Sequence, residues 1–159
     1  YILATPLQLA MAYSGLANRG VIYQPQFIQP ENEKSFEPKK IAEIQLSDNK
    51  AWEKMEQALV DVISARNGTA HKVYDANSVV IAGKTGTAQI KSILPGKEYD
   101  AIRENPALRD HALFVGYGPV EDPKLVVAVI IENGESGSEV AAPIVKSAIN
   151  FYTGGFDAE

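Results

Sequence analysis

Leu125 to Ile131 is apolar at all seven positions. A run that short and that continuous suits a strand screened from water on both faces. Just before it, Glu121-Asp122-Pro123-Lys124 reads as a tight turn, and Ala112 to Val120 as a second strand. Together they predict an antiparallel hairpin. Val79 to Gln89 predicts another strand upstream. After the hairpin, Ser138 is the expected cap of a closing helix to about Tyr152, which Pro143 should kink or delay. The second half of the chain is thus committed to a sheet with a helix laid on it.

The first half has helical spacing. Thr5-Pro6-Leu7-Gln8 offers a cap, a proline at the first helical position and a capping-box glutamine. That helix should reach about Asn18, with Gly20 as its left-handed stop. Val21 to Ile28 reads as extended chain broken by Pro25, and residues 29–40 as an exposed loop or hairpin. Ser47 is the expected cap of a second helix. Its Trp52, Met55, Leu59, Val62 and Ile63 fall on one face, with Trp52 in the core. Asn67-Gly68 should end it, and a short third helix is expected over Ala70 to Tyr74. Residues 91–110 form a long polar connection of the kind that often borders a functional cleft. Three strands and three main helices predict a mixed α/β (α+β) fold, an antiparallel sheet flanked by helices. Its open edge invites another segment. With no initiator Met, residues 1–159 are expected to be part of a longer protein.

Composition removes several classes. Lys and Arg total 15 against 20 Asp and Glu, for a net charge of −5. A general nucleic-acid binder usually carries a basic excess, so no nucleic-acid partner is expected. There are no cysteines, which excludes disulfides, thiolate metal sites and cysteine nucleophiles. With only His71 and His111, a histidine-rich metal site is excluded as well. No apolar run approaches the roughly 20 residues of a membrane helix, and no signal-peptide pattern opens the chain.

The segment with the most chemistry is Ile81-Ala82-Gly83-Lys84-Thr85-Gly86-Thr87-Ala88-Gln89. On an edge strand, Lys84 would present a point charge, and Thr85 and Thr87 would share one face. Gly86 would let a ligand lie against the backbone. Such a strand can bind an extended peptide by strand addition and hold its terminal carboxylate. A backbone N–H there can face an oxygen that turns negative during acyl transfer. Two decoys fail. Gly83-Lys84-Thr85 ends like a phosphate-binding loop, but the glycine required five places earlier is Ser78. Ser47-Asp48-Asn49-Lys50 spells a Ser-x-x-Lys, yet it stands before an amphipathic helix, where a cap is expected.

The Ala82–Gln89 stretch with its Lys84-Thr85-Gly86-Thr87 motif, the Tyr1–Ala10 stretch and the Glu132–Pro143 stretch resemble the transpeptidase domain of the penicillin-binding proteins. The likeness is to the class B, elongation-type group. It implies that this chain is the C-terminal half of that domain, with the serine nucleophile, second motif and membrane anchor elsewhere. It further implies that Lys84 joins the active-site charge network and that Thr85 and Thr87 hold the substrate or β-lactam carboxylate. Gly86 would keep the cleft open, and the Thr87 N–H would be one oxyanion donor. The implied activity is D,D-transpeptidation of peptidoglycan stem peptides ending in D-Ala-D-Ala, without metal or cofactor, at the periplasmic face of the inner membrane. Implied partners are the N-terminal half, an elongation-complex glycosyltransferase and rod-shape scaffold proteins. A D,D-carboxypeptidase, a serine β-lactamase and a non-enzymatic β-lactam sensor would share the motif. Elsewhere, the bland readings are favoured. His111 is expected to be bonded locally and His71 to lie on the surface. Tyr99, Arg103 and Arg109 are expected in a solvated loop, and Asn133 to Ser138 as a flexible turn plus cap.

Overall fold

The computed structural model describes residues 3–28, 37–48, 50–90 and 105–154. Helix α1 spans Pro6–Ala17, with the expected capping box between Thr5 and Gln8. The chain leaves it through Arg19 (φ 49°) and Gly20 (φ 104°). A Cβ on Gly20 would stand 2.9 Å from the Trp52 ring. Trp52 is therefore half-buried against that turn rather than in the core. Strands β1 (Val21–Tyr23) and β2 (Lys40–Glu43) pair antiparallel as a small separate sheet.

Helix α2 spans Lys50–Ser64. Just after Ser47, the expected cap, Asp48 Oδ1 accepts the Lys50 N–H at 2.9 Å. A carboxylate there also suits the positive end of the helix. Leu59 and Ile63 are buried, while Met55 is left exposed on the same helix. Beyond α2 comes the short turn His71–Val73.

The main sheet has order β3-β4-β5, all antiparallel: β3 Ala82–Ala88, β4 His111–Gly118 and β5 Leu125–Ile131. The predicted hairpin is present. The predicted depth of Leu125 to Ile131 is not: all seven residues are only half-buried, although α1 and the closing helix both pack on that strand. The deeply buried strand is β4, because among the described residues it alone has a neighbour on each side. Position in the sheet outweighs apolarity here.

The two faces of the sheet bury different clusters. Phe114 packs with Ile63, Ala142, Val145 and Ile149 on one face. Tyr117 packs with Leu59, Tyr13 and Leu16 on the other. The closing helix α3 spans Ala142–Tyr152, preceded by a π-helical turn over Gly137–Ala141. Pro143 delays the α-helix as expected. Ser138 does not cap it: neither the turn nor α3 has a side-chain cap, and the Ser138 hydroxyl lies 3.1 Å from that of Ser136. No helix among the described residues is long and apolar enough to cross a membrane.

Candidate active site

Along β3 the burial changes midway. Ala82 and Gly83 are buried, Lys84 is exposed, Thr85 and Gly86 are half-buried, and Thr87 is exposed. Thr85 stands opposite Phe114 and Thr87 opposite Ala112, while Lys84 stands opposite Val115. Strand alternation therefore puts both threonines on the Phe114 face and Lys84 on the other. Among the described residues β3 is an outer strand, so backbone groups on its far side are turned away from β4.

The Lys84 ammonium folds back over the strand. It donates to the Thr85 carbonyl oxygen at 3.0 Å and to the Thr85 hydroxyl at 3.3 Å. The Thr85 hydroxyl is also 3.0 Å from the Thr69 hydroxyl. A cation and adjoining hydroxyls make a donor-rich place for a carboxylate, where charge-assisted bonds are the strong ones. At Gly86 an added Cβ would meet only the Leu113 Cβ, at 3.3 Å. The backbone there is open to a neighbour.

Two contributors were not singled out from sequence. Thr69 is one; only its place just after the helix-ending Asn67-Gly68 hinted at a fixed turn. Gly137 is the other. It is buried, and a Cβ would collide with the Leu113 carbonyl oxygen and reach 2.9 Å from that of Gly86. The loop after β5 therefore closes onto the motif strand only because residue 137 has no side chain. That loop is held, not a flexible turn. Asn133 and Glu135 take left-handed φ values of 57° and 59°. The Glu135 N–H donates to the Asp110 carbonyl at 2.9 Å, and Asn133 Nδ2 to the Arg109 carbonyl at 2.9 Å. Arg109 itself lies 3.8 Å from the Glu135 carboxylate.

Lys72 and Glu139, 2.6 Å apart, tie the turn after Thr69 to the turn around Gly137. The Lys72 hydrogen bond and charge hold the Glu139 carboxyl below its ordinary value. His111 opens β4 opposite Ala88, and its Nδ1 accepts the Asn133 N–H at 2.9 Å. It is hydrogen-bonded, but as a strand residue and to a partner 22 positions on rather than within its own loop. His71 departs from its surface reading. It is half-buried, its Nδ1 donates to the Ile63 carbonyl at 3.1 Å, and its ring stacks on Tyr74. The cause is the turn folding back over the end of α2. Tyr99 and Arg103 lie outside the described residues. Ser47 stands before the N-terminus of α2, whereas Thr69 follows its C-terminus. The 15 residues of α2 separate them by roughly 20 Å at helical rise, so Ser47 is not beside the motif hydroxyls. Among the described residues no group of three or more His, Asp or Glu side chains is placed to hold a metal ion.

The sequence matches the family described as penicillin binding protein transpeptidase domain over residues 2–150. The peptidoglycan D,D-transpeptidase MrdA of Haemophilus influenzae is 35% identical over 156 residues, covering 96% of this chain and 24% of that protein. This chain thus spans about a quarter of that relative's length. Among solved structures, Pseudomonas aeruginosa penicillin-binding protein 2 in complex with WCK 5153 superposes with a TM-score of 0.74 at 38% identity, over 94% of this chain and 30% of that one. Helicobacter pylori penicillin-binding protein 2 in complex with MreC gives 0.69 at 27% identity, over 96% of this chain and 26% of that one. The Lys84-Thr85-Gly86-Thr87 strand, met at the edge of an antiparallel sheet between helices, is accordingly read within a known frame: the chain belongs to the penicillin-binding protein transpeptidase domain family.

Proposed function

We propose that this chain is the C-terminal half of a peptidoglycan D,D-transpeptidase domain of the elongation type. The carrying observation is β3. It offers the Lys84 ammonium and the Thr85 and Thr87 hydroxyls from an outer strand whose Gly86 is open to a ligand. The identity to a D,D-transpeptidase named MrdA supports the same reading.

In this reading the strand receives the D-Ala-D-Ala end of a stem peptide. Lys84, Thr85 and Thr87 bind its terminal carboxylate, and the Thr87 N–H faces the carbonyl oxygen of the scissile amide. A serine from outside these 159 residues attacks that carbonyl. The amide C–N bond breaks, D-Ala leaves with the proton, and an acyl-serine remains. An amine of a neighbouring stem peptide then takes the acyl group and regenerates the serine. β-Lactams would acylate the same serine and stay. The 159 residues alone supply binding groups but no nucleophile, so they are expected to be inert. The placement that goes with this chemistry is the periplasmic face of the inner membrane. A rod-shape scaffold protein is a proposed partner, supported by the relative solved with MreC, and an elongation-complex glycosyltransferase is another.

The test is labelling of the full-length protein with a fluorescent penicillin, followed by peptide mass spectrometry. The label should sit on a serine of a Ser-x-x-Lys outside this chain, and D-Ala release should rise with an added amine acceptor. Label on Ser47, or no label at all, would overturn the reading. Release that ignores the acceptor would point to a carboxypeptidase instead.

A further inference from the structure

The turn that carries Thr69 is fixed on both sides. At Gly68 a Cβ would collide with the carbonyl oxygens of Asp61 and Val62, and the Gly68 N–H donates to the Ala65 carbonyl at 2.8 Å. Two residues on, Ala70 is fully buried, and its N–H donates to the Val62 carbonyl at 2.9 Å. Thr69 is held between these anchors with its hydroxyl 3.0 Å from that of Thr85.

A hydroxyl has one proton to give and two lone pairs to receive with. An ammonium has no lone pair, so Thr85 is the acceptor in its 3.3 Å contact with Lys84. The Thr69 contact can run either way. If Thr85 donates to Thr69, its proton is spent. If Thr69 donates to Thr85, the Thr85 proton is free to turn outward. A carboxylate can only accept, so its arrival selects the second arrangement. Lys84 and Thr69 then both donate to Thr85, Thr85 donates to the carboxylate, and each bond strengthens the next. We infer that Thr69 is a positioning residue for the carboxylate-binding strand, holding the Thr85 hydroxyl in the donor state. This rests on the transpeptidase reading above.

The experiment uses the full-length protein and two acylating probes, benzylpenicillin and its methyl ester, in which the carboxylate is masked. Thr69→Val keeps the side-chain shape and removes the hydroxyl. Its second-order acylation rate constant with benzylpenicillin should fall about threefold to tenfold, the span of one ordinary hydrogen bond. With the ester it should stay within about twofold of wild type, and Thr69→Ser should restore the free-acid rate. A structural role would lower both probes alike. Thr69→Ala, read the same way, guards against a folding defect peculiar to valine. Equal loss with both probes, no loss with either, or failure of serine to restore the rate overturns the inference for Thr69 alone. A wild-type protein acylated by neither probe overturns the transpeptidase reading and this inference with it.

Discussion

A methyl group at Gly83 would stand 2.6 Å from the Phe114 ring and 2.8 Å from the Val115 carbonyl oxygen. At Gly86, three residues along the same strand, it would meet only the Leu113 Cβ at 3.3 Å. Both glycines belong to one motif and one ladder, yet different things require them. Gly83 makes room for the protein's own core, in which Phe114 is 1% exposed. Gly86 has no such core contact, and in the transpeptidase reading proposed above its room is left for a ligand. Buried glycine is a packing fact, and open glycine on an outer strand is a binding opportunity.

Two substitutions test that division. Gly83→Ala forces the Phe114 ring or the β4 backbone aside, and overpacking of this kind costs about 2–3 kcal/mol. Urea unfolding of the full-length protein should show the loss. Shrinking the obstacle should return part of it, so Gly83→Ala combined with Phe114→Leu is expected to fall short of the summed single losses. A Gly83→Ala protein of unchanged stability would erase the contrast between the two positions. Gly86→Ala is the mirror case. Its folded stability should stay within about 0.5 kcal/mol, since alanine suits a strand better than glycine and Leu113 has little to yield. Its penicillin acylation should nevertheless drop about tenfold or more, because the added methyl displaces a ligand lying on the strand. Loss of stability without loss of acylation would reverse the assignment.

The sequence carried the framework because its signals were local. The Thr5–Gln8 box, the turn before Leu125 and the proline at 143 each act within a few residues, and each is where it was read. Apart from the missing Ser138 cap, the failures involve contacts between distant segments. Leu125 to Ile131 is apolar throughout, but nothing in it says that β4 takes the middle of the sheet. Gly137 looks like part of a loose serine-rich turn until it is seen against the carbonyls of Gly86 and Leu113. Thr69 gives no hint that it meets a hydroxyl sixteen residues away. The motif's place on a strand was legible, because the apolar run before it and the hairpin after it are local signals. The network around the Thr85 hydroxyl was not, because it joins β3 to the distant turn at Thr69.

Tyr117 sharpens the same contrast from the buried end of the strand, with a smaller effect. It stands opposite Ala82, next to Gly83, and is 1% exposed. Burial, reinforced by the Glu56 charge and opposed by Arg19, pushes its phenol from 10.0 up to about 12. A raised folded-state value favours the protonated form. Its contribution is therefore intact below about pH 10 and is lost as the pH rises from about 10 towards 12. Tyr117→Phe has no proton to lose. At pH 7 it should change stability by less than about 1 kcal/mol. Between pH 10 and 12 the wild type should weaken more steeply than the variant, with the remaining tyrosines and lysines cancelling in the difference. Urea midpoints for both proteins at pH 7, 10 and 11 provide the measurement. Parallel pH profiles would mean that water reaches Tyr117, and that the end of β3 occupied by Ala82 and Gly83 is less closed than the packing around Phe114 requires.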